Sequence, residues 1–568
     1  MNKLYNITTK HDLANALNVQ AKDLSYILYV KKVESYYTTF KIEKKSGGYR
    51  IINAPTGELK YIQKQLASIL EKSINKKSNL AHGFIKNKSV YTNASIHRNK
   101  RFVLNVDLSN FFDSFHFGRV RGYLIKNKNF LCTEEIATIV AQITCYNGKL
   151  PQGAPSSPVL TNLICGSLDY RLSCLAKKYK VNFTRYADDI TFSTNNIYFL
   201  RDYDSFMNEL LVIINKSGFN LNDKKTRLQF KDSRQEVTGV VVNKIINAPR
   251  EFYKKTRAMA YSYYVNQECE INGKTATLDQ IEGRFGYINN FDKLNNIKYF
   301  KNVPLSDKST KKKSFKEPTE FNSRESDYRQ FLFYKYFYMN DKPLIITEGK
   351  TDIMYLKAAL KAMPDNYNDL YNQNHFRIHF FKRTNRLNYI FGINKDGADT
   401  LKNFYGEYFK YNKYKKSNFK YFTQFGYYPK NPIIILLDNE TDNNHPLGKF
   451  FPGNEKETLV KKLKKDKYIR LNELQNVYLT TIPNNSNNQN DNVEIEDLFE
   501  ESLLNIELNG RKFYRKGKKD GCFTKDEFSK YVFSNYKTIN FDNFKCIFDI
   551  FQIIIKDYQD WLEKIYLK

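Results

Sequence analysis

Phe183-Thr184-Arg185-Tyr186-Ala187-Asp188-Asp189-Ile190-Thr191-Phe192-Ser193 places two short apolar, β-prone runs on either side of adjacent carboxylates. The pattern predicts a β-hairpin with Ala187-Asp188-Asp189 at its tip. Like charges side by side repel, so an ordered Asp-Asp pair points to a cation. Carboxylate oxygens suit Mg²⁺, which keeps several waters and shares its shell with substrate phosphates.

Working outward, Arg101–Phe112 is an apolar strand that delivers Asp107 near its end, with Phe112 five residues on. Leu150–Pro158 is a Pro/Gly loop leading into a predicted helix over Val159–Leu175. Phe40–Ile52 reads as strand, Gly-Gly turn, strand, and carries Arg50. A polar, basic, aperiodic stretch from residue 304 reads as a linker.

The chain has 568 residues and a net charge of +31, an excess suited to a polyanion, with nucleic acid the default partner. Aromatic residues make up 15% of it, so rings for stacking bases are available beyond those the core needs. The seven cysteines include no C-x-x-C pair, which argues against a disulfide framework or zinc site and for a reducing compartment. No apolar run is long enough to span a bilayer, and Met1–Tyr5 opens no signal peptide. The expectation is a cytoplasmic protein with no membrane partner.

Tyr186-Ala187-Asp188-Asp189 between β runs resembles the palm signature of reverse transcriptases, and Pro151-Gln152-Gly153 through Ser157-Pro158 resembles their P-Q-G-x-x-x-S-P loop. Asn93-Ala94-Ser95-Ile96-His97 resembles the N-A-x-x-H motif of the retron branch, and Val237-Thr238-Gly239 resembles its V-T-G triplet. The resemblance implies an α+β right-hand polymerase of fingers, palm and thumb. It implies that Asp107, Asp188 and Asp189 hold two Mg²⁺ ions and that Phe112 is the steric gate against a 2′-hydroxyl. Arg50, Gln152 and Lys225 would bind the nucleotide. Asn93, His97, Val237, Thr238 and Gly239, with the thumb residues Lys254, Lys255 and Arg257, would contact RNA.

In the second half, Pro343–Thr347 is a buried strand followed by Glu348-Gly349-Lys350-Thr351-Asp352, and Pro432–Leu437 is another, followed by Asp438-Asn439-Glu440. Apolar strands alternating with helices predict a mostly parallel α/β sheet with its site at the strand carboxyl ends. This half resembles a TOPRIM domain, closest to overcoming-lysogenization-defect nucleases, with Glu348, Asp438 and Glu440 holding Mg²⁺ or Mn²⁺ and Glu348 catalytic. The family's second motif is usually D-x-D. Here Glu440 takes the second place, and Asp442 is the alternative. Ile495–Leu498 would add acids, and Lys525 resembles a lysine near the scissile phosphate.

The expected organisation is fingers and palm over 1–245, an RNA-binding thumb over 246–303 and a basic linker over 304–340. A TOPRIM domain over 341–500 and a helical extension over 501–568 complete it. The combined resemblance, to a retron reverse transcriptase fused to a TOPRIM effector, implies a cognate noncoding RNA and its msDNA product as partners. It also implies dNTPs as substrates, host ribonuclease H as a helper, and a role in antiphage defence; it leaves a homo-oligomer open. The rival reading is another bacterial reverse transcriptase whose TOPRIM half is an inactive scaffold.

Overall fold

The computed structural model describes residues 4–44, 47–73, 78–301, 321–391, 401, 404–406, 418–440, 447, 455–471, 476–483, 493–515 and 519–567. They form two compact units. The first comprises Met1–Phe252 and Phe291–Tyr299, the second Tyr253–Asn290 and Phe300–Lys568.

The first unit opens with short helical segments whose Leu13, Leu17, Leu24 and Ile27 join its core. Strands β1 (Tyr37–Glu43) and β2 (Tyr49–Pro55) then pair antiparallel as the expected hairpin. Helix α1 (Val90–Ile96), capped by Ser89, carries Asn93 and is followed by β2's neighbour in sequence, β3 (Phe102–Ser109). The single helix expected after the Pro/Gly loop is two, α2 (Ser157–Ile164) and α3 (Gly166–Lys178), interrupted at Cys165. β4 (Asn182–Tyr186) and β5 (Asp189–Thr194) form the predicted hairpin. β6 (Asn220–Leu221) and β7 (Arg227–Phe230) complete the sheet, both antiparallel to β3. β5 lies beside β3 with Asp107 directly opposite Asp189. The sheet is therefore the device that brings the three acids together. A separate hairpin, β8 (Glu236–Val237) and β9 (Val240–Val241), turns through Thr238 and Gly239.

Helices α4 (Arg250–Asn266) and α5 (Leu278–Lys301) follow. The linker expected over 304–340 needs correction at its end. Residues 302–320 lie outside the described residues, but α6 (Ser323–Phe333) is a capped helix with Tyr328, Phe331, Leu332 and Phe333 buried. Asn322 caps it by accepting from the Arg324 and Glu325 amides. The basic run sets the composition up to Pro318. From Phe321 the aromatic residues set it, and they belong to the core.

The second unit contains β10 (Leu344–Thr347), α7 (Lys350–Ala362), β11 (His379–Phe380), β12 (Ile433–Leu437), β13 (Tyr468–Arg470) and β14 (Val477–Thr481). Their order in the sheet is β11-β10-β12-β14-β13, all parallel except β13. Central strands buried on both faces explain the unbroken Ile433–Leu437 run. The region 501–568 is not wholly helical, since Glu507–Leu508, Arg511–Phe513 and Cys522–Phe523 make a small sheet. Its helices α8 (Lys525–Ser534) and α9 (Lys545–Tyr566) bury Phe528, Phe548, Phe551 and Ile554 in the same core as Tyr355 and Leu356. No helix among the described residues is long and apolar enough to cross a membrane.

Candidate active site of the polymerase and a second acidic cluster

A cavity of about 1140 Å³ in the first unit is lined by Arg50, Asp107, Phe112, Gln152, Asp188 and Lys225, among others. Five sequence elements far apart in the chain therefore meet where the spacing placed the chemistry. The Pro-Gln-Gly loop reaches the cavity by docking on β2: the Asn53 amide donates to the Gln152 carbonyl at 2.8 Å. Gly153 makes that approach feasible. It holds φ +117°, and a Cβ there would stand 2.8 Å from the Asn53 carbonyl oxygen. Phe112 is half-buried and packs edge-on against Phe111, which presents its ring as a wall of the cavity.

Burial, then the charges of Asp188 and Asp107, push Asp189 up to about 7, against the pull of Lys225 and Arg227. Asp188 is raised by burial and by Asp107, with Lys225 and Arg50 opposing. The neighbouring carboxylates disfavour ionisation of Asp188 and Asp189, and a divalent cation would relieve that. The donor set, hard oxygens only, fits Mg²⁺. Among the described residues no three acidic, His or Cys side chains already stand at the spacing of a metal cage. Asp107 is instead engaged by Lys225, whose Nζ donates to both carboxylate oxygens at 3.1 Å, and by Asn222 Nδ2 at 2.8 Å. Asn222 also donates its amide to the Asp107 carbonyl at 2.9 Å. The sequence expectation gave Lys225 a role here and Asn222 none.

The residues expected at RNA divide. His97 is fully buried, with its ring nitrogens 2.7 Å from Ser193 Oγ and Thr184 Oγ1. It ties β5 to β4, and burial lowers its pKa to about 3, so it is neutral. Val237 is fully buried and Asn93 nearly so. For His97 and Val237 the expectation that the side chain contacts RNA is corrected, since the core encloses each; the Asn93 Oδ1 is buried without a partner. Asn93 Nδ2 instead donates to Thr238 Oγ1 at 3.4 Å, which joins the two retron-type motifs to each other. Thr238 holds φ +48°, rare for a β-branched residue, and Gly239 holds +76°. These angles fit the tight two-residue hairpin turn. Gly239, Lys254, Lys255 and Arg257 are exposed.

In the second unit, Glu348 follows β10 and Asp438 follows β12, at the carboxyl edge of the sheet. Glu348 is pushed up to about 7 by burial, then by Asp352 and Glu440, and its Oε2 is buried without a partner. Asp438 is raised well above the carboxylate range by burial, then by Asp352, Glu348, Glu496 and Glu494. Its Oδ1 accepts from the Ile495 amide at 3.2 Å. Asp352, to which the sequence expectation gave no role, is half-buried and raised to about 6, chiefly by desolvation. Lys525 Nζ lies 3.1 Å from both Glu494 and Glu496. The orphaned Glu348 oxygen and the oxygen-only donor set fit a hard divalent cation. Asp442 lies outside the described residues.

The family model for reverse transcriptase (RNA-dependent DNA polymerase) matches residues 42–242. The chain is 34% identical over 297 residues to the Retron Mx65 reverse transcriptase of Myxococcus xanthus, covering 49% of this chain and 67% of that one. It is 33% identical over 286 residues to the Retron Ec86 reverse transcriptase of Escherichia coli, covering 50% and 84%. The chain belongs to the retron reverse transcriptases, which are RNA-directed DNA polymerases.

Proposed function

We propose that this polymerase copies part of a cognate structured noncoding RNA into msDNA, a branched single-stranded DNA joined to the RNA through a guanosine 2′-hydroxyl. The observation that carries the reading is the single cavity holding Asp107, Asp188, Phe112, Gln152, Arg50 and Lys225. Two Mg²⁺ ions, when bound, supply Lewis-acid activation of the attacking hydroxyl and charge stabilisation of the leaving pyrophosphate. Asp107, Asp188 and Asp189 would hold them. Arg50 and Lys225 neutralise the triphosphate, Gln152 lines its path, and the Phe112 ring excludes a 2′-hydroxyl from the incoming sugar. Exposed Lys254, Lys255 and Arg257 ride on RNA backbone, and host ribonuclease H trims the template. The test is to purify the protein with its bound nucleic acid and resolve it on a denaturing gel with and without ribonuclease. A ribonuclease-resistant DNA attached to a short RNA is expected, and its loss in an Asp188→Asn/Asp189→Asn variant that still retains RNA. An unbranched product, or no DNA, overturns the reading.

For the second unit we propose a TOPRIM-type, metal-dependent nuclease that acts in antiphage defence and is restrained by the RNA–DNA product. Glu348, Asp438 and Glu440 are the proposed ligands, with Mg²⁺ or Mn²⁺ as the ion. What supports this is the cluster of half-buried carboxylates with raised pKa values at the carboxyl edge of a parallel sheet. The Lys525 ion pairs with Glu494 and Glu496 favour the second reading, an inert scaffold. Glu348→Gln separates them when phage protection and msDNA yield are measured on the same variant. Lost protection with normal msDNA supports the nuclease; retained protection with normal msDNA supports the scaffold.

A further inference from the structure

The catalytic hairpin turns through Ala187 and Asp188, and Ala187 holds φ +57°. A residue with a Cβ stays in that region only when its surroundings hold it there. The surroundings are a ring of buried contacts behind the turn. Arg185 Nη1 donates to the Ala187 carbonyl oxygen at 3.1 Å. Asp169, on α3, fixes the guanidinium by accepting from Nε at 2.6 Å and from Nη2 at 2.9 Å. That two-pronged match uses the planar fork that only arginine offers. Nη2 also donates to Asn162 Oδ1 at 3.2 Å, and Asn162 Nδ2 donates to the Gly83 carbonyl at 2.8 Å. Gly83 closes the ring, because a Cβ on it would stand 2.7 Å from the Ala187 nitrogen. The segment that carries Gly83 is itself paired with Arg185: the Arg185 amide donates to the Leu80 carbonyl at 2.9 Å, and the His82 amide donates to the Arg185 carbonyl at 2.8 Å.

Arg185 and Asp169 are both buried, and neither lines the polymerase cavity. Their charges are thus spent on the far side of the turn from the substrate. An ion pair that served the fold alone could sit anywhere in the core. This one also donates to the carbonyl of Ala187, the residue that turns the chain into Asp188 and Asp189.

We propose that Arg185 is a positioning residue for DNA synthesis. By holding the Ala187 carbonyl it fixes the turn from which Asp188 and Asp189 project, and Asp169, Asn162 and Gly83 form the frame it works against. Metal sites tolerate little displacement of their ligands, so loosening the turn weakens the grip on the ions before it weakens anything else.

The test uses the full chain with its bound RNA. Arg185→Lys keeps the charge and removes the fork. Three quantities are measured: the melting curve, RNA affinity, and primer-extension rate as a function of Mg²⁺ concentration. The expected result is unchanged RNA affinity and a rise of about tenfold or more in the Mg²⁺ concentration giving half-maximal rate. A pair with only a structural role would lower the active fraction equally at every Mg²⁺ concentration. A wild-type half-maximal concentration in folded protein therefore overturns the proposal. If Arg185→Lys does not fold, Asn162→Ala decides. It leaves the Arg185–Asp169 pair in place, removes the link to Gly83, and is expected to raise the half-maximal Mg²⁺ concentration by about threefold or more. No rise in that variant overturns the proposal as well.

Discussion

Lys225 holds Asp107 by both carboxylate oxygens, each at 3.1 Å, in the cavity where the nucleotide is expected. The ammonium supplies the positive charge that a metal ion would otherwise bring to this acid. An ion held by Asp107 would compete with this lysine contact, and a lysine freed from Asp107 would be available to a triphosphate.

Lys225→Met should separate the two roles. Removing the ammonium leaves Asp107 facing Asp188 and Asp189 without relief, so Mg²⁺ binding in the absence of nucleotide should tighten. The KM for dNTP should rise about tenfold or more, the cost of a charge-assisted contact worth roughly 1.5–3 kcal/mol. Calorimetric titration with Mg²⁺ and steady-state extension check the two halves. Weaker Mg²⁺ binding in the variant contradicts the competition.

Phe112→Ala should admit ribonucleotides. The ring is half-buried against Phe111 and walls the cavity, so its removal opens space at the sugar. Discrimination between dNTP and rNTP in single-nucleotide extension should fall by about tenfold or more. An unchanged ratio removes the gate from this residue.

His97 sets a pH dependence whose sign is fixed by its burial. Its pKa is lowered to about 3 in the folded chain, against an ordinary value of 6.5, and His82 shares the direction at about 4. Between those limits the unfolded chain binds the proton and the folded chain does not. Stability from this group is therefore present above pH 6.5 and declines as pH falls, by about 1.4 kcal/mol per unit from His97. His97→Gln should lower the melting temperature at pH 7.5 and flatten its decline toward pH 5. Parallel melting-versus-pH curves for variant and wild type would count against a neutral buried imidazole.

Lys254, Lys255 and Arg257 are exposed on α4. Replacing all three with Ala should weaken RNA binding and flatten the slope of log K against log salt by up to about one unit per lost phosphate contact. Reduced affinity with an unchanged slope would show that they support the helix and do not touch the backbone of the RNA.

The meeting of Asp107 with Asp188 and Asp189 was legible because apolar strand patterning ends at these acids and the resemblance to reverse transcriptases pairs them; the sheet places Asp107 opposite Asp189. The parallel sheet of the second unit was legible for a similar reason: Leu344–Thr347 and Ile433–Leu437 are apolar without interruption. Tertiary pairing was not legible. Nothing in the spacing of Asp169 and Arg185 says that one clamps the other, because burial decides it. Asp352 reads as an ordinary acid in the first turn of a helix until the fold sets it beside Asp438 and Glu496. Asn93 and His97 were found as a motif, but a motif does not say which way its side chains face. The strands at 507–523 are two or three residues long, too short to show alternation.

The parallel sheet of the second unit also bears on the order in which the protein is made. β10 must wait for β12, about 90 residues later in the chain, and long-range parallel pairings form slowly. Every residue of the polymerase cavity has been synthesised by Lys225, whereas the second acidic cluster is complete only with Lys525. At about 5–20 residues per second, roughly 300 residues of further synthesis put some 15–60 seconds between the two events. The residues of the polymerase cavity are thus all in place well before the second acidic cluster is complete.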